Sequence, residues 1–176
     1  MNTEYEIRVL EIDKEKLVKK LEGLGAEFKE DSEQKRYVYD IIPKEDGKWI
    51  RLRTNGRKTT LTYKNIVKTT IDGTKEIEVE VENFEKTNEI LENMGIKSKG
   101  YQENKRMQYV LNGVEIDIDS WPMIPTYVEI EGKNEEEVMS TLELLDLPKD
   151  KVTTLDVDSV YKKYGIDLKD IKVLKF

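Results

Sequence analysis

Apolar and charged residues alternate along much of this chain with the period of two that a β-strand imposes. Tyr5, Ile7 and Val9 interleave with Glu4, Glu6 and Arg8, Ile77, Val79 and Val81 with Glu76, Glu78 and Glu80, and Val128 and Ile130 with Glu129 and Glu131. Two Asn-Gly pairs, Asn55-Gly56 and Asn112-Gly113, separate further alternating runs and predict two-residue hairpin turns. Such a turn would set Arg53 opposite Lys58, Arg51 opposite Thr60 and Ile50 opposite Leu61. Arg51, Arg53, Lys58 and Lys64 would then share one face, with Ile50, Leu52, Leu61 and Tyr63 on the other. In the second hairpin Arg106 should face Asp119 and Gln108 should face Asp117, backed by Met107, Tyr109, Leu111, Val114, Ile116 and Ile118. Helical apolar spacing predicts helices over about 14–24, 85–94, 134–146 and 156–164, with Asp13 and Asn134 as N-caps.

The chain also resembles itself. At an offset of 70, positions 6–36 contain twelve identities, among them Ile7/Ile77, Val9/Val79, Leu21/Leu91, Gly25/Gly95, Lys35/Lys105 and Arg36/Arg106. The shared unit is a strand, a helix, a returning strand and a hairpin, which suggests two related half-sheets closing on each other.

Each strand therefore carries one apolar and one charged face, as a sheet with one solvated side also would. Three clusters favour an inward charged face instead. Arg51, Arg53 and Lys58 place like charges side by side, a destabilising arrangement unless an anion lies between them. Glu76, Glu78 and Glu80, and separately Asp117, Asp119, Glu129 and Glu131, pose the same problem with the opposite sign. Closing the sheet with these faces inward unites both signs in one wet cavity, with helices packed outside.

Composition narrows the chemistry. There is no cysteine and no histidine, so a metal site must be made from oxygen ligands. A formal charge of −7 argues against general nucleic-acid binding, which needs a basic face, but a local basic cluster still suits a polyanionic small molecule. No apolar run has the length of a membrane span or signal core, and no linker-like stretch divides residues 1–176, so a single cytoplasmic domain is expected.

The order of the charged pairs is similar to that of the CYTH family, the triphosphate tunnel metalloenzymes. Glu4-x-Glu6-x-Arg8 resembles its N-terminal Glu-x-Glu-x-Lys signature, with arginine in place of lysine. Arg51-x-Arg53, Lys64, Glu76-x-Glu78-x-Glu80, Arg106, Asp117-x-Asp119 and Glu129-x-Glu131 follow in family order, so that the likeness spans residues 1–132. On the sixth strand, where the family usually carries Lys-x-Arg, the inward position is Asn104, with Lys105 pointing out. The last 40 or so residues read as helical packing.

The resemblance implies an α+β fold built on an eight-stranded antiparallel barrel, with Mg2+ or Mn2+ held by Glu4, Glu6, Asp119, Glu129 and Glu131, and phosphate gripped by Arg8, Arg51, Arg53, Lys64 and Arg106. Glu4, Glu6, Arg53 and Lys64 are the residues it places in catalysis, and facing alone adds Asp117 and Glu78. Any one of these could instead form an interior salt bridge, Arg106 with Asp119 for example. The implied substrate is a small-molecule triphosphate: ATP, thiamine triphosphate or tripolyphosphate. Likeness to class IV adenylyl cyclases, including Asp119-Ser120-Trp121-Pro122, favours conversion of ATP to cyclic AMP and pyrophosphate. A triphosphatase and a non-catalytic nucleotide or polyphosphate binder are the alternatives, and a homodimer is left open.

Overall fold

A computed structural model describes residues 1–176 as ten strands and four helices. In chain order these are β1 (Asn2–Val9), α1 (Lys14–Gly23), β2 (Glu27–Asp40), β3 (Lys48–Thr54), β4 (Thr59–Ile66), β5 (Thr74–Glu80), α2 (Phe84–Asn93), β6 (Ser98–Leu111), β7 (Val114–Ser120), β8 (Tyr127–Gly132), α3 (Glu135–Leu144), β9 (Val152–Thr153), α4 (Val157–Lys163) and β10 (Val173–Leu174). Eight strands close into an antiparallel barrel in the order β6-β2-β3-β4-β5-β1-β8-β7, with β7 returning to β6. The helices pack outside it, as the alternation predicts.

The repeat is real at the level of topology. Exchanging β1–β4 for β5–β8 maps the strand order onto itself, and two residue pairs related by the 70-residue offset face each other across their ladders, Glu4 with Thr74 and Gln34 with Asn104. Local signals repeat as well. Asp13 caps α1 by accepting from the Lys16 N–H, and Asn83, its offset partner, caps α2 by accepting from Lys86. Gly25 and Gly95 follow these helices at φ +74° and +85°, a conformation that glycine adopts without steric cost.

The outer face is not covered evenly. α1 and α3 lie over β1, β7 and β8, burying Leu17, Leu21, Val138 and Leu142 against Ile7, Val9, Ile116, Ile118, Val128 and Ile130. α2 covers Tyr39 and Leu52 with Phe84 and Leu91. No helix follows β4 as α3 follows β8. Ile77 and Val79 are accordingly 51% and 52% exposed, whereas their offset partners Ile7 and Val9 are 2% and 0% exposed.

The two hairpins differ. Asn112 and Gly113 sit at φ +54° and +87°, and Leu111 pairs with Val114, the predicted two-residue turn. The first hairpin departs from the expected register: Thr54 pairs with Thr59, Arg53 with Thr60 and Arg51 with Thr62, around a four-residue loop. Asn55 Oδ1 accepts from the Arg57 and Lys58 N–H groups, and Thr54 Oγ1 donates to the Lys58 carbonyl and accepts from Gly56. These side-chain bonds stabilise the wider loop over the tight turn. The slip is an even number of residues, so the faces are preserved. Lys58 alone leaves the set, standing on the loop in an exposed pair with Glu80.

Candidate functional site

The inward faces enclose a polar cavity of about 300 Å³. One side of its wall is acidic. Glu4 and Glu6 on β1 and Glu131 on β8 bring carboxylate oxygens within 4.8 Å of one another. Lys64 on β4 donates to both oxygens of Glu4 at 2.8 Å and lies 3.3 Å from Glu76. Burial, reinforced by the charges of Glu4 and Glu6, pushes Glu131 up to about 8. Three converging oxygen ligands with too little positive charge among them are a donor set that fits a hard divalent cation, which is coordinated by carboxylates and water.

Beside this trio the remaining carboxylates are held by arginine. Arg106 Nε donates to Asp119 at 2.8 Å and its Nη2 to Glu129 at 2.6 Å, while Nη1 bonds Asp117. Arg8 Nε donates to Glu129 at 2.7 Å, its Nη1 to the Leu155 carbonyl at 2.7 Å and its Nη2 to Glu6 at 3.2 Å. Burial acts to raise Glu129, but Arg8 and Arg106 hold it well below the usual carboxylate range. Asp117 is pushed up to about 7 by burial, with Asp119 and Glu129 adding to it against Arg106.

Across the barrel, on β2 and β3, the wall is basic. Arg36 lies directly opposite Arg53 in the strand register, with Arg51 two residues away. Arg53 is lowered to about 10 by Arg51 first and then by burial. Its nearest carboxylate, Glu78, is 3.9 Å away and is also 3.5 Å from Arg51.

The predicted residues thus all face one cavity, in three arrangements. Glu4, Glu6 and Glu131 converge; Asp119 and Glu129 stand next to them in the salt bridges of Arg106 and Arg8; and Arg51 and Arg53 occupy the far wall. Asn104 is fully buried and inward, and Lys105 points outward toward Glu33, as alternation requires. Two contributions were not read as part of the site. Arg36 lines the cavity, and its offset pairing with Arg106 was the signal available for it. The C-terminal segment, expected only to pack, helps to form one opening.

That opening, of about 340 Å³, is lined mostly by polar and charged residues, with Val38, Trp49, Ile66, Val157, Leu168 and Ile171 set among them. The other opening, about 370 Å³, lies beside Arg53, Arg57, Lys58 and Arg106 and has no apolar lining.

The model of the CYTH domain matches residues 2–152. The chain belongs to the CYTH family. A Methanocaldococcus jannaschii protein named "putative adenylate cyclase" is 30% identical over 162 residues, covering 85% of this chain and 93% of that protein. A conserved hypothetical protein from Pyrococcus furiosus has a solved structure with TM-score 0.78 and 26% identity, over 88% of this chain and 98% of its own. A Hippeastrum protein, named with the same qualification as an adenylyl cyclase and described as having a dominant triphosphatase activity, shares the fold. Its TM-score is 0.60 at 15% identity, over 94% of this CYTH chain and 96% of its own. None of the four helices is long and apolar enough to cross a membrane.

Proposed function

We propose that this CYTH chain, acting as one domain, binds ATP with Mg2+ or Mn2+ and converts it to cyclic AMP and pyrophosphate, as a class IV adenylyl cyclase does. The observation that carries the reading is the opposition of Glu4, Glu6 and Glu131 on β1 and β8 to the arginines of β2 and β3 across one cavity. A triphosphate bridges walls of opposite sign only with a cation on the acidic side. Glu4, Glu6 and Glu131 would hold that cation. When bound it offsets phosphate charge and makes a neighbouring hydroxyl easier to deprotonate. Arg51 and Arg53 would grip phosphate oxygens, and Lys64, anchored on Glu4, would stand between cation and phosphate. Arg8 and Arg106 keep Glu129 charged, and Arg106 fixes Asp119 in place. The opening lined by Trp49 and Val38 suits an organic group, which favours a nucleotide over inorganic tripolyphosphate. In the reaction the ribose 3′ oxygen attacks the α-phosphorus, the bond to the bridging oxygen breaks, and pyrophosphate leaves along the arginines.

The second reading is a triphosphatase, favoured by the wholly polar opening beside Arg53, which admits water to a terminal phosphate. Water would then attack the terminal phosphorus and release orthophosphate.

Incubation with ATP, thiamine triphosphate or tripolyphosphate and Mg2+ or Mn2+, resolving cyclic AMP, pyrophosphate and orthophosphate, decides between them. The control is the Glu4→Gln, Glu6→Gln double variant. Cyclic AMP with pyrophosphate is expected. Orthophosphate without cyclic product would replace the cyclase reading with the triphosphatase, and no product above the control would overturn both.

A further inference from the structure

Among the buried cations of the barrel, Arg36 has no carboxylate partner. It is 5% exposed, and its hydrogen bonds go to neutral amides: Nη2 donates to Asn104 Oδ1 at 2.6 Å and to Gln34 Oε1 at 3.2 Å. Its Nε is buried with no acceptor at all, as is the Nε of neighbouring Arg51. Its offset partner shows what a structural arginine looks like at the equivalent place, for Arg106 is bound by Asp117, Asp119 and Glu129. A buried charge left unpaired is costly to a folded protein, and one facing a second arginine across the strand ladder costs more.

The side chain is nevertheless fixed in place. Its guanidinium stacks on Trp121 at 4.5 Å from the ring centroid. Trp121 in turn meets Tyr161 edge-on at 6.1 Å, and the Tyr161 hydroxyl donates to the Pro122 carbonyl at 2.7 Å. Asn104 is oriented by donating from Nδ2 to Asp119 Oδ1 at 3.0 Å. Packing of the C-terminal helix and a polar link to the acidic wall thus hold an unneutralised guanidinium at the edge of the cavity.

We infer that Arg36 is a phosphate-binding residue, supplied by β2 and completed only by a polyphosphate anion, an inference that rests on the reading of the cavity as a triphosphate site. Arg36 lines both the central cavity and the opening that carries Trp49, whereas Arg53 lines the cavity and the opposite opening. Arg36 therefore takes the phosphate nearer the organic group, and Arg53 the one farther from it. Burial and the charges of Arg51, Arg53 and Arg106 all press the guanidinium toward neutrality, the strain that an anion would relieve.

The test is tripolyphosphate binding by calorimetry in the presence of Mg2+, with thermal unfolding of the ligand-free protein, for wild type and Arg36→Met. Methionine retains an apolar stack on Trp121 and removes the charge. The expected result is affinity at least tenfold weaker, with ligand-free stability unchanged or raised, because an uncompensated charge has gone. Arg36→Gln, which can still bond Asn104, serves the same measurement should the methionine variant not fold. Affinity within twofold of wild type in the folded variant would overturn the inference and leave the triphosphate reading standing. Failure of wild type itself to bind would overturn that reading and the role of Arg36 with it.

Discussion

In the first half of the barrel, β3 and β4 point Arg51, Arg53 and Lys64 into the cavity; in the second half, β7 and β8 point Asp117, Asp119, Glu129 and Glu131 into it. The frames are the same, since Arg36 faces Arg53 across one ladder just as Arg106 faces Asp119 across its counterpart. One backbone plan has been filled with opposite charge, and neither filling is balanced within its own half. The acidic wall, to which β1 of the first half adds Glu4, Glu6 and Arg8, holds arginines that satisfy most of its carboxylates, leaving Glu4, Glu6 and Glu131 short of positive charge. The basic wall has only Glu78, from β5, near Arg51 and Arg53. What each half lacks is what a metal-bound triphosphate carries, which is why the asymmetry between the repeats, more than the barrel itself, points to function.

The sharpest way to break this comparison is to remove the charge of the acidic trio. The Glu4→Gln, Glu6→Gln double variant should lose on the order of 10³-fold or more in product formation, since both groups act on charge that develops only in the reaction. It should keep or gain ligand-free stability, because the repulsion that raises Glu131 is relieved. Loss of folding in place of loss of activity would make the trio structural.

Arg106 should behave in the opposite way. Arg106→Met leaves Asp117 and Asp119 without a cationic partner and Glu129 with Arg8 alone, and is expected to destabilise the fold by about 3–5 kcal/mol in denaturant titrations. A small effect would show that the second half tolerates its acidic charge without arginine, and the contrast between the two halves would fail.

The outer faces offer a gentler comparison. Ile7→Ala opens a cavity under α3 and should cost about 2–5 kcal/mol, while Ile77→Ala, at the offset position on the uncovered face, should fall within about 0.5 kcal/mol of wild type. A large loss at Ile77 would mean that this face is covered in solution.

Much of this arrangement was legible in the sequence for a physical reason: when each strand has one apolar and one charged face, alternation fixes every inward residue once the sheet closes. Four helices, the Asn112-Gly113 turn and the pairing of Arg106 with Asp119 followed from local patterns. The register at Asn55-Gly56 did not, because loop side chains outcompeted a tight turn that the dipeptide alone favours. The C-terminal contribution was hidden for another reason. Arg8 reaches the Leu155 carbonyl across 147 residues, a contact set by packing that no local pattern records. Arg36 was visible as a repeat partner, but its want of a counter-ion appears only once the neighbours are in place.

The response to pH couples the two signs of charge. Glu131 and Asp117 are raised to about 8 and about 7 from ordinary values of 4.5 and 3.8. Between those limits the folded protein keeps protons that the unfolded chain has released, so ligand-free stability should fall as pH rises from about 4 to about 8. Glu129 contributes with the opposite sign but in a separate window, since its stabilisation is lost only as pH falls below its ordinary value of 4.5. A divalent cation must displace the proton of Glu131 to use that oxygen, so its stabilising effect should grow over the same rise in pH. Melting temperatures at pH 5 to 8.5, with and without Mg2+, should therefore diverge toward alkaline pH. Parallel curves would mean that Glu131 stands outside the cation site, leaving Glu4 and Glu6 to find their third ligand among the carboxylates now held by Arg8 and Arg106.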